Sequence, residues 1–203
     1  MRVKLPALAS LFVLLALSAC APPRVWEQRC PPQGASVTWD NGTTLAFAGR
    51  DPANGLLCLA RRGDAEARLI LGMLEQGPTE GRGHPEGLAP LYPARANNNA
   101  RYRSTSTSAG SGIQYDFDNF WRVVGFEFVT VPAGRFDAVV LERRIVAAAP
   151  NDQSLIMRYF VDTASGILVK RDVTIERGGS VQRTFQATRV QVPPDRPPPR
   201  MPN

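Results

Sequence analysis

The chain is poor in the residues that most often carry chemistry: 203 residues contain one histidine, His84, and three cysteines, Cys20, Cys30 and Cys58. One histidine excludes a multi-histidine zinc site. Neither a Gly-x-Ser-x-Gly nucleophile elbow nor a Gly-Lys-Ser/Thr phosphate loop occurs. Basic residues never run beyond adjacent pairs, so the clustered stripe that nucleic-acid binding uses is missing. No segment after the N-terminus approaches the ~20 apolar residues of a membrane-spanning helix. These shortages predict no catalytic residues, no metal, no cofactor and no nucleic-acid partner.

What is present begins at the N-terminus. Arg2 and Lys4 precede the apolar run Leu5–Leu17, which closes on Leu17-Ser18-Ala19-Cys20. In this order of features the chain resembles a bacterial lipoprotein precursor. The resemblance implies that residues 1–19 are a signal peptide and that Cys20 is lipidated as the mature first residue. The protein is then expected to be held to a membrane by acyl chains, two or more of which anchor stably. Ala21, standing where Asp would favour inner-membrane retention, implies the periplasmic face of the outer membrane. An ordinary cleaved secretory signal is the alternative. Loss of Arg2 and Lys4 lowers the formal charge of +6 to a mild excess that indicates no particular partner.

With Cys20 assigned to lipid, Cys30 and Cys58 remain as an even pair in an oxidising compartment, where a disulfide is expected. Such a bond would tie the N-terminal segment to the body and stabilise by about 3–4 kcal/mol. Two free thiols are the alternative; a metal pair lacks further ligands.

Residues 20–35 read as a Pro-rich tether and residues 193–203 as a Pro-rich disordered tail, or a ligand for a partner groove. Between them, 36–192 reads as a single antiparallel β domain. Asn41-Gly42 separates Ser36–Asp40 from Thr43–Ala48 as a hairpin turn. Gly55–Ala60 and Ala67–Leu74 flank a turn at Arg62-Gly63-Asp64; the second favours strand over helix. Gln76–Asn99 is irregular, a surface excursion or flap. Arg101–Ser108 and Ile113–Phe117 follow as strands. Trp121–Thr130, Phe136–Ala147, Ser154–Val161, Ile167–Glu176 and Val181–Val192 then alternate with short turn clusters. Loops this short can join only antiparallel neighbours. The fold class expected is mainly β: an antiparallel meander forming a curved sheet or half-barrel, with a short helix or long loop in the middle.

The stretch Trp121–Ala138, with Thr130-Val131-Pro132-Ala133-Gly134 at its centre, is similar to a hairpin of uncharacterised β-rich bacterial periplasmic proteins and lipoproteins. Tyr159-Phe160-Val161-Asp162 and Gly166–Arg171 resemble that family's closing hairpin. The resemblance implies fold and no chemistry. By analogy of architecture it invites comparison with half-barrel lipoprotein carriers whose sheet cups a lipid.

Candidate site residues are few. His84 with Glu86 could form a base and its orienter, though a loop histidine between glycines reads more simply as solvent-exposed. Asp116, Asp118 and Asn119 make a small oxygen cluster without the remaining positions of a calcium loop. The strand aromatics are the better lead. Trp121 and Val123 share one face, and Val124, Phe126 and Phe128 the other, so both faces are partly apolar. That pattern suits a covered sheet or one lining a cavity. Trp121, Phe126, Phe128 and Tyr159 are the candidate ligand-binding residues. The function expected is a non-catalytic, membrane-anchored envelope module for an apolar ligand or protein partner. A structural or assembly accessory acting through loops or the Pro-rich tail is the alternative, and an enzyme the remote one.

Overall fold

The computed structural model describes residues 23–75, 85–107, 112–148, 152–179 and 182–194. The signal segment, Cys20, His84 and the end of the tail lie outside the described residues. Eleven strands form one sheet: β1 (Ser36–Trp39), β2 (Thr44–Arg50), β3 (Leu57–Arg62), β4 (Ala65–Ile70), β5 (Leu74–Glu75), β6 (Asn99–Thr107), β7 (Gln114–Val131), β8 (Gly134–Ala147), β9 (Ser154–Asp162), β10 (Leu168–Arg177) and β11 (Phe185–Gln191). A single helical turn, α1 (Pro85–Leu88), runs into a 3-10 turn at Ala89–Leu91.

The spatial order is β5-β4-β3-β2-β1-β11-β10-β9-β8-β7-β6. Two up-and-down meanders are therefore joined through the antiparallel pair β1 and β11, in which Val37 faces Val190 and Ser36 faces Gln191. The chain neighbours β5 and β6 end up at opposite edges, so the sheet curls without closing. Short turns set this order. At Asn41-Gly42 the backbone reverses with Gly42 at φ +81°, a conformation that costs a residue with a Cβ. On β2, Leu45 and Phe47 point inward while Ala46 and Ala48 stay exposed, the period of a strand with one wet face. On the convex face Glu142 accepts from Arg122 (2.7 Å) and Arg158 (2.9 Å), its registered neighbours on β7 and β9.

Two sequence expectations about this region change here. Ile113–Phe117 and Trp121–Thr130 are one continuous strand, β7, because the polar residues between them keep the ladder. Asn119 pairs in register with Tyr102 on one side and Ile145 on the other, and is wholly buried. Phe126 and Phe128 do not lie opposite Trp121. A bulge at Val124 makes Val123 face Leu141 while Phe126 faces Val139, so one extra residue returns the two phenylalanines to the Trp121 side.

The described part of the expected tether, 23–35, is not a free spacer. Trp26 is 5% exposed, exchanges backbone hydrogen bonds with Ala94 and donates its indole N–H to the carbonyl of Thr163 at 2.9 Å. The apolar area of one tryptophan outweighs the extended bias of the nearby prolines. The segment passes so close to the β9–β10 turn that a Cβ on Gly166 would lie 2.3 Å from the Arg29 carbonyl oxygen. Cys30 and Cys58 are joined by a disulfide, which fixes this segment to β3. The described part of the irregular middle, 85–98, is likewise packed: Leu88 and Leu91 are fully buried, and Asn97 and Asn98 pair with the backbone of Val123.

Replacing both Cys30 and Cys58 by Ser is expected to lower unfolding stability by about 3.5 kcal/mol. Urea titration of the variant beside the wild type measures it, and a reductant should shift the wild type alone.

Candidate functional site

The concave face encloses a cavity of about 540 Å³, within the roughly 300–1,000 Å³ usual for small-molecule sites. Both ends of the sheet contribute to it: Leu69, Ile70, Met73 and Leu74 from β4, β5 and their turn, and Tyr102 and Ser104 from β6. Between these edges lie Trp39 and Leu45, Phe117, Ile145, Leu155 and Met157, Leu168 and Phe185. The rim at the β1–β2, β3–β4, β8–β9 and β10–β11 turns carries Asn41, Thr43, Arg62, Gln153 and Gln182. Apolar side chains reach the cavity through strand alternation. On β9, Leu155, Met157 and Tyr159 are successive inward positions.

One polar group stands out on this apolar wall. Arg143 on β8 sits between Leu141 and Ile145 on the inward row, and lines the cavity. Its guanidinium donates twice to the Asn119 side-chain oxygen, from Nε at 2.9 Å and from Nη2 at 2.6 Å. Asn119 is held for that task. Its amide donates to Ser104 Oγ at 2.9 Å and to the Phe117 carbonyl at 3.2 Å, which leaves the oxygen to face Arg143. The guanidinium also lies 5.5 Å from the centre of the Trp121 ring, which stacks on Tyr159 with centroids 5.3 Å apart. Opposite, Arg171 lines the cavity and lies over Phe185, whose ring is 5.1 Å from Trp39. Among the described residues the walls hold three arginines, Arg62, Arg143 and Arg171, and no carboxylate.

The hydroxyls complete the polar floor. Tyr159 is fully buried, and burial pushes its pKa above the ordinary value, with Arg143 and then Arg171 pulling the other way. It stays a neutral donor, turned toward Met157 Sδ at 3.4 Å. Tyr102 Oη and Trp121 Nε1 are buried without a hydrogen-bond partner.

Of the four aromatics that the sequence pointed to, two come together here. Tyr159 lines the cavity and Trp121 packs directly against it, behind the wall. Phe126 and Phe128 lie elsewhere, on the stretch of β7 beyond the bulge. Phe126 is half-buried beneath Arg24, and Phe128 is 64% exposed beneath Arg135. Asp116 accepts from Thr105 at 2.7 Å, and Asp118 faces Arg101 and Arg103 at 3.5 and 3.6 Å, ordinary neighbours on β6. Sequence reading missed Arg143 and Arg171. The signal was there: each is a charge at an i±2 position between apolar residues, Leu141 and Ile145 for one, Val169 and Val173 for the other.

No family model and no curated protein matches this chain. Among solved structures it is similar to the hypothetical lipoprotein YmcC from Escherichia coli, with 9% identity over 83% of this chain and 90% of that one, at a TM-score of 0.47.

The raised Tyr159 pKa carries a sign. The neutral hydroxyl is favoured in the folded state, so its stabilisation is whole below the ordinary tyrosine pKa of about 10 and is lost as pH rises through the higher folded value. Denaturant titrations at stepped pH above about 9 are expected to show stability falling more steeply for the wild type than for Tyr159→Phe.

Proposed function

We propose that this chain is a lipid-anchored protein of the bacterial cell envelope, on the periplasmic face of the outer membrane, that binds an apolar ligand in its cupped sheet without transforming it. The observation that supports this reading is the cavity: a wall of aliphatic and aromatic side chains with a few fixed polar groups, the ordinary make-up of a small-molecule site. A purely structural accessory has no use for such a space, since filling it with larger side chains would strengthen packing. The anchor rests on Leu17-Ser18-Ala19-Cys20.

Two measurements test the two halves. Cys20→Ser is expected to release the protein from the membrane fraction; unchanged fractionation overturns the anchor. For the ligand, the full chain held in amphipol is titrated with 12-bromododecanol, whose bromine quenches nearby tryptophan. Trp39 lines the cavity, so quenching should saturate and reverse on adding unbrominated dodecanol. The absence of saturable quenching, by the alcohol or by the matching acid, overturns the binding role.

A further inference from the structure

The cavity is one-sided in its chemistry. Three arginines line it, and no carboxylate does among the described residues. Arg143 is the most telling, because the structure fixes its place. Ser104 orients Asn119, Asn119 takes two of the guanidinium N–H groups, and Trp121 packs against the cation. A guanidinium has five N–H donors and remains charged at any ordinary pH. Asn119 Oδ1 occupies one edge of the fork only. Among the other polar groups on this floor, the neutral Tyr159 hydroxyl accepts from Arg143, and Tyr102 Oη, buried in the wall, has no partner. Asn119 Oδ1 already accepts twice from Arg143, and Ser104 Oγ accepts from the Asn119 amide. Arg143 is thus a half-buried cation met by neutral oxygens alone, Asn119 Oδ1 and Tyr159 Oη, and what it lacks is an anionic acceptor.

Deepening the proposed function and resting on it, we infer that the ligand is an anionic amphiphile. Its carboxylate or phosphate head seats on Arg143 and reaches Tyr102, while its alkyl chain lies along Leu69, Ile70, Ile145 and Leu155. The head is read by charge-assisted hydrogen bonds from a preoriented fork, and low-dielectric walls strengthen them. Asn119 is a positioning residue, holding the fork without touching the ligand.

The test compares two probes of equal chain length on the full chain in amphipol, 12-bromododecanoic acid and 12-bromododecanol, by tryptophan quenching. The acid is expected to bind about tenfold tighter or more, the range of a charged hydrogen bond. Arg143→Met should erase that preference by weakening the acid far more than the alcohol. Arg143→Lys, which keeps the charge but loses the fork, should retain part of it and serves where the Met variant does not fold. Equal affinity of acid and alcohol in the wild type overturns the assignment while leaving the apolar cavity intact. A preference unchanged in both variants also overturns it. Saturable binding of neither probe overturns the binding role itself. Displacement of the bromo acid by dodecyl phosphate or by dodecanoate, each added separately, tells a phosphate head from a carboxylate one.

Discussion

Everything in this molecule depends on the pairing of β1 with β11. Chain order alone would give two independent meanders, β1–β5 and β6–β11, each with two raw edges. Hydrogen bonds between the first and last strands fuse them into one sheet wide enough to curl on itself. That pairing is the most distant in sequence of any in the sheet, so it carries the largest loop-closure cost. It is backed by side chains. Val37 is fully buried, Trp39 donates to the Leu168 carbonyl at 3.1 Å and its ring meets Phe185, so apolar burial accompanies the ladder on both sides of the seam.

Once the sheet curls, its two free edges face a common space, and residues 85–91 pack beside β6 and β7 there. Leu88 and Leu91 fill the core there, and Gly87 lies against Tyr102 so closely that a Cβ would come within 3.1 Å of it. The N-terminal segment packs beside this region, with Trp26 against Tyr92. The cavity thus persists because its surroundings are tied down by a disulfide, a buried indole and two leucines, while its own polar floor is held by Ser104, Asn119 and Arg143.

Much of this was legible in the sequence, for a physical reason. Alternation and turn residues are local, so the antiparallel meander, the Asn41-Gly42 hairpin and the strands from Phe136 onward could be read directly. What could not be read depended on partners far along the chain. Trp26 sits among prolines in a stretch that looks extended, and only Ala94 and Thr163 make it part of the core. The bulge at Val124 has no strong local mark beyond Gly125, yet it reverses which face Phe126 and Phe128 occupy. Asn119 looked like part of a surface oxygen cluster with Asp116 and Asp118, because strand alternation separates them only once the whole of β7 is seen as one strand. Arg143 reads as a solvated charge beside Arg144 until Leu141 and Ile145 are placed on its own row.

The contact of Arg24 with Asp137 and Phe126 also sets a direction. Arg24 is four residues from Cys20, a reach of at most ~14 Å of extended chain. Asp137 lies near the β7–β8 turn, whereas the polar rim of the cavity is at the other end of these strands, roughly 30 Å away along β8. Under the proposed anchoring at Cys20, the molecule would stand on its β7–β8 end with Phe128 and Arg135 toward the head groups. Its mouth would then open into the aqueous compartment. The ligand proposed above would enter from that side rather than from the membrane beneath the protein.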